Sequence, residues 1–220
     1  MEIPTLKLKQ YERNQKKFAH ELGETLEDIG VAQVDGLDQQ LVDDLYGYMQ
    51  EHTDDFRTLY SESLGKHFRK QELLGEHGLK SSSLRRIPYL NYLVKGIRKN
   101  VSGITSKVTY AIASLYGPLV KSQDLILFRY YKKQGLHFSN EKNMIKQHTD
   151  DKSPLTFAPS ASAPGLEGKI NGRWTRLQPQ RGYLLVWPGD DLESISDGKI
   201  KALLHRVQHP TTERWALIYG

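Results

Sequence analysis

The chain has no cysteine, which removes two classes of reading at once. A small fold framed by disulfides is excluded, and so is any metal site built on thiolates. Histidine, aspartate and glutamate are then the available metal donors, suited to iron, manganese or zinc through nitrogen and oxygen. Long apolar runs are missing too: none approaches the roughly 20 residues that cross a bilayer as a helix. The opening Met1-Glu2-Ile3-Pro4 lacks the charged start and apolar block of a secretory leader, so the cytoplasm is the expected location. Charge of one sign is only slightly in excess. Lys and Arg number 31 against 26 Asp and Glu, a formal net charge of +5, and the two signs are interspersed. That pattern reads as a solvated basic surface, so neither a membrane nor nucleic acid is an expected partner.

What remains is an ordinary globular composition, 38% hydrophobic and 10% aromatic with 12 tyrosines. At 220 residues the simplest organisation is one domain, and a monomer. After a short polar lead, Phe18, Leu22, Leu26 and Ile29 fall at helical spacing and Gly30 ends the run. Val31 to Gly36 reads as a strand closed by a turn, and Leu37, Leu41, Leu45 and Met49 predict a second helix with Asp38 as its N-cap. Residues 56–89 carry no clear period and read as a basic covering segment. From Leu90 to Leu115 a three-four spacing of apolar residues predicts the longest helix, stopped by Gly117-Pro118.

From about Leu119 the pattern changes to short β segments: 125–131, 143–148, 154–160, 174–177, 183–187, 202–208 and 214–219, with Asn171-Gly172 as a hairpin turn. Helices first and many strands later predict an α+β chain whose second half is a sandwich or jelly roll. Residues 1–118 are then the mainly helical part, with one or two strands, and 119–220 the jelly-roll core of a single domain.

One stretch carries chemistry. In Gln147-His148-Thr149-Asp150, a strand conformation puts the imidazole and the carboxylate on the same face, because strand side chains alternate. His205, well downstream, supplies a second imidazole; His209 shares its strand parity, but Pro210 marks a strand end and favours His205. Two histidines and one carboxylate on one face of a metal leave the other face open. Arg214, on the last strand, offers a planar fork that matches a carboxylate. His20, His52, His67, His77 and His137 lack partners at ligand spacing, and Trp187 reads as core.

These residues belong to an ordered set. Gln147-His148-Thr149-Asp150 followed by Pro154-Leu155-Thr156-Phe157, then Gly165-Leu166-Glu167, Asn171-Gly172-Arg173-Trp174, Gly189-Asp190-Asp191-Leu192-Glu193, Ser196-Asp197-Gly198, His205-Arg206-Val207 and Arg214-Trp215-Ala216 run in one sequence order. The set resembles the isopenicillin N synthase-like branch of the Fe(II)/2-oxoglutarate-dependent dioxygenases, whose fold is a double-stranded β-helix flanked by α-helices. The segment from Phe18 to Gly36 resembles the leading helix and strand of that family. The resemblance implies that His148, Asp150 and His205 ligate Fe(II), and that Arg214 pairs with the distal carboxylate of 2-oxoglutarate. It implies that Tyr131 helps hold that carboxylate. It also implies an enzyme that couples 2-oxoglutarate decarboxylation to hydroxylation or desaturation of a small organic substrate with dioxygen.

Two departures stand against the pattern. Arg129 replaces an asparagine beside the tyrosines, and Ala216 replaces a serine whose hydroxyl would reach the co-substrate carboxylate, so two of the groups that the resemblance implies round the far carboxylate are changed. They keep open an iron oxidase of the same fold that does not use 2-oxoglutarate. A third alternative is a non-catalytic jelly-roll protein binding a polyanion through the basic segment from Lys66 to Arg86.

Overall fold

The computed structural model describes residues 2–52, 87–119, 126–131, 148–150, 153–208 and 210–219. The basic segment from Lys66 to Arg86, the expected strand residues 143–147, and His67, His77, His137 and His209 lie outside the described residues.

The helical half follows from its caps and stripes. A two-residue strand β1 (Thr5–Leu6) and a short helix α1 (Leu8–Arg13) occupy the polar lead, where no periodic signal announces them. Helix α2 (Gln15–Asp28) starts where the Asn14 side chain accepts from the Lys17 N–H at 3.0 Å. It buries Phe18, Leu22 and Leu26, one face at helical spacing. Strand β2 (Ala32–Asp35) follows, and then helix α3 (Gln39–Glu51), capped by Asp38 as predicted. Helix α4 (Pro88–Tyr116) has 29 residues and spans about 43 Å at 1.5 Å per residue. Proline fits its first turn because that N–H has no helical partner. Its buried stripe runs from Leu90 through Ile97 and Ile104 to Ile112 and packs with α2 and α3 as well as with the sheet.

The remaining strands are β3 (Ile126–Tyr131), β4 (Leu155–Ala158), β5 (Leu166–Ile170), β6 (Arg173–Arg176), β7 (Tyr183–Pro188), β8 (His205–Val207) and β9 (Arg214–Tyr219). They form a six-stranded sheet in the order β1-β2-β7-β4-β9-β3 and a three-stranded sheet in the order β6-β5-β8. All pairings are antiparallel except β1 with β2. The β5–β6 hairpin turns through Asn171 and Gly172, at φ 48° and 77°. Positive φ at both central residues is the type I′ turn, whose twist matches that of paired strands.

The large sheet is a wall buried on both faces. On β7, Leu184 and Val186 join the helix-side core, while Leu185 and Trp187 face the small sheet. On β9, Trp215, Leu217 and Tyr219 pack on the helices, and Arg214 and Ala216 face inward. Polar links fasten the helical layer to this wall: Tyr46 Oη accepts from the Leu217 N–H at 3.2 Å, and the Ser102 and Tyr219 hydroxyls lie 2.6 Å apart. A third link ties helix to loop, since the Asn100 side chain donates to the Gly36 carbonyl and accepts from the Asp38 N–H.

Between Pro188 and β8 the chain makes a short helix, α5 (Asp190–Ile195), where the sequence reads only turns. Asp190, Asp191 and Glu193 occupy its first turn, a placement favoured by the exposed N–H groups there. With Leu192 its one buried residue, it leaves no periodic stripe to read.

Leu184 has no exposed surface in the middle of the wall. Leu184→Ala is expected to cost about 2–5 kcal/mol, read as a lower urea midpoint at unchanged slope.

Candidate metal centre

The site begins with a backbone event. His148 and His205 exchange two main-chain hydrogen bonds, each 3.0 Å, in an isolated antiparallel bridge beside β8. Residues paired in this way project their side chains to the same face. The two imidazole centroids accordingly stand 4.3 Å apart.

Asp150 reaches the site by another route than strand parity. Thr149 and Asp150 lie outside regular structure. Its position is fixed from β7 and α5: the Asp190 N–H donates to the Asp150 carbonyl at 3.1 Å, and the Gly189 N–H donates to the Pro154 carbonyl at 3.2 Å. Gly189 is obligatory at this crossing. A Cβ there would run into the Ser153 carbonyl oxygen and lie 2.7 Å from that of Asp150.

The side chains are then oriented individually. Asp150 Oδ2 accepts from the Trp187 indole N–H at 2.7 Å, while Oδ1 lies 3.8 Å from His205 Nε2. The His205 Nδ1 lies 3.0 Å from the Leu203 carbonyl. A carbonyl only accepts, so the proton is on Nδ1 and the Nε2 lone pair points toward Asp150 and His148. Burial lowers the His205 pKa, against the opposing pull of Asp150, and favours the neutral imidazole that a metal needs. One ligand atom from each of His148, Asp150 and His205 lies within 4.8 Å of the others. Two nitrogens and one oxygen on one side of a gap fit a divalent first-row ion with open coordination positions.

His205 also lines a cavity between the two sheets, together with Trp187, Arg129, Tyr131, Arg214 and Ala216. Arg214 is only 4% exposed; its Nε donates to the Ala163 carbonyl at 2.9 Å and its guanidinium lies 4.6 Å over the Tyr131 ring. Its Nη1 is buried and has no hydrogen-bond partner among the described residues. A buried donor without a partner is costly, and this one stands where a ligand carboxylate would satisfy it. All five residues singled out from the sequence, His148, Asp150, His205, Tyr131 and Arg214, are thus gathered around this cavity and its metal end. His20 is exposed and His52 packs on Tyr48.

Sequence reading missed the role of Trp187, treated as core. It is core, at 1% exposure, but its indole N–H also orients the carboxylate. The available signal was that a buried tryptophan needs an acceptor for its N–H.

A jelly roll with this donor set at one end of a cationic cavity has a defined place among known proteins. A family model described as the 2OG-Fe(II) oxygenase superfamily matches residues 122–219 of this chain. The chain is 33% identical over 64 residues to 1-aminocyclopropane-1-carboxylate oxidase 1 of Arabidopsis thaliana, a stretch covering 29% of this chain and 21% of that protein. It is 36% identical over 62 residues to leucoanthocyanidin dioxygenase 1 of Oryza sativa subsp. indica, covering 28% and 16% respectively. The matches therefore span about a fifth of the length of these relatives. Among solved structures, the dioxygenase for auxin oxidation 1 of Arabidopsis thaliana, in its binary complex with 2-oxoglutarate, superposes with a TM-score of 0.76 at 18% identity, over 99% of this chain and 91% of that one.

Trp187→Phe keeps the ring and removes the N–H. Losing a partner that orients a ligand is expected to weaken divalent-metal affinity about 10- to 100-fold, measured by calorimetry at unchanged circular dichroism. Gly189→Ala is expected to abolish high-affinity metal uptake by displacing the Asp150 backbone, checked by metal analysis after desalting.

Proposed function

We propose that the protein is a non-heme Fe(II)-dependent oxygenase that couples decarboxylation of 2-oxoglutarate to hydroxylation or desaturation of a small organic substrate. The observation that carries this reading is the pairing of two features in one cavity: the His148, Asp150 and His205 donors at one end and the buried, partly unsatisfied Arg214 on its wall. A mere structural cluster of histidine and aspartate has no need of the second feature. Within this reading the other partner is dioxygen, and the enzyme is a cytoplasmic monomer.

Bound Fe(II) supplies dioxygen activation, and 2-oxoglutarate supplies two electrons as it is converted to succinate and carbon dioxide. The chain does the positioning. The Leu203 carbonyl holds His205 in the tautomer that presents Nε2, and the Trp187 N–H occupies one carboxylate oxygen of Asp150 so that the other is aimed at the site. Arg214 offers its buried Nη1 to the distal carboxylate of the co-substrate, backed by the Tyr131 ring. Leu185, Trp187, Val207 and Ala216 line the remaining wall and exclude water, which strengthens each of these polar contacts.

The departure at Ala216 favours a second reading, an iron oxidase of the same fold without 2-oxoglutarate. One experiment separates the two. Protein loaded anaerobically with Fe(II) is expected to develop a weak visible metal-to-ligand band on addition of 2-oxoglutarate, and Asp150→Ala to abolish it. Iron uptake without the band would favour the second reading. Absence of metal uptake, with salt-sensitive binding to nucleic acid, would instead leave the polyanion-binding alternative.

A further inference from the structure

The permanently charged side chains among the described residues lining the cavity are Arg129 and Arg214. The two arginines stand one ladder step apart. Strand β3 pairs with β9 so that Tyr131 faces Arg214 and Arg129 faces Ala216. Residues two apart on a strand share a face, so Arg129 and Tyr131 point the same way, as do Ala216 and Arg214. The side chain opposite Arg129 is a methyl group, which leaves a long guanidinium side chain room over that rung. Arg129 is 6% exposed, a cation held in the wall rather than one reaching into water.

The two rungs differ in their distance from the metal end. Beyond Ala216, β9 runs to Tyr219, where β4 joins it opposite Phe157. Phe157 in turn pairs with Val186 of β7, next to Trp187, whose ring lies 5.6 Å from that of His205. The Arg129–Ala216 rung therefore lies on the metal side of the Tyr131–Arg214 rung. Two residues along a strand is about 6.6–6.8 Å, somewhat longer than the separation of the carboxylate carbons in an extended five-carbon diacid, a difference that two long, flexible arginine side chains on one face can take up by converging.

We propose that Arg129 binds the metal-side carboxylate of the co-substrate while Arg214 binds the far one, so that the two form a clamp selecting a five-carbon 2-oxo dicarboxylate. This rests on the reading that the cavity takes 2-oxoglutarate, and it adds a determinant that reading does not contain. The clamp gives the near carboxylate a cationic partner besides the metal.

The test is anaerobic calorimetry on the Fe(II)-loaded protein with two probes: 2-oxoglutarate, and 2-oxopentanoate, which keeps the chelating 2-oxo acid but ends in a methyl group. Arg214→Gln should weaken 2-oxoglutarate alone. Arg129→Gln should weaken both probes by about 10- to 100-fold, the range for a charge-assisted hydrogen bond, while Arg129→Lys retains most of the affinity and controls for folding. Glutarate binding to the metal-free protein, followed by tryptophan fluorescence, should fall in both glutamine variants. The clamp is overturned if Arg129→Gln leaves 2-oxoglutarate within about twofold of wild type, if it weakens 2-oxoglutarate but not 2-oxopentanoate, or if Arg129→Lys loses as much as Arg129→Gln. If the wild-type protein binds neither probe and Arg214→Gln changes nothing, the 2-oxoglutarate reading itself fails, and the clamp with it.

Discussion

The two main-chain hydrogen bonds between His148 and His205 are the constraint on which the rest of the site depends. They join a segment that precedes β4 to the edge of the small sheet, and in doing so set two imidazoles side by side. The bridge is satisfied by peptide groups alone, so it fixes where the two side chains start whatever surrounds them, and leaves only the turning of each ring to be set. The remaining orienting groups act on top of this. The Leu203 carbonyl selects a tautomer, the Trp187 indole turns a carboxylate, and Gly189 lets two backbones pass close enough for Asp150 to arrive.

Much of this was legible in the residues. The stripe from Leu90 to Ile112 announced α4, and Asn171-Gly172 announced a hairpin whose φ values are those of the expected turn. The donors His148, Asp150 and His205 could be named because a strand-like His-x-Asp and a distant histidine form a pattern of residue types. The illegible parts share a physical reason, which is that they depend on what meets across space. Strands β7 and β9 are buried on both faces, so apolar alternation could not say which residues face the helices and which the cavity. Helix α5 buries a single leucine and shows no period. Strand parity was the wrong ground for Asp150, which sits where a backbone crossing puts it. The pairing of Arg129 with Ala216 appears only once the register of β3 on β9 is known.

That register recasts the two departures from the family pattern as one. Read along the chain, an arginine in place of an asparagine and an alanine in place of a serine are separate oddities. Across the ladder they are direct partners, so the loss of a small hydroxyl on one strand coincides with a large cation on the other. Cross-strand neighbours interact strongly enough to be coupled in this way.

The large sheet has a consequence for how such a protein can change over time. Along Leu184, Leu185, Val186 and Trp187, successive residues face the helical core and the cavity in turn. Consecutive positions in the gene thus answer to different demands, one set to fold stability and the other to chemistry. A lineage can remodel the cavity face for a new substrate while the helix-facing residues hold the scaffold unchanged, because the sheet itself insulates one evolutionary pressure from the other.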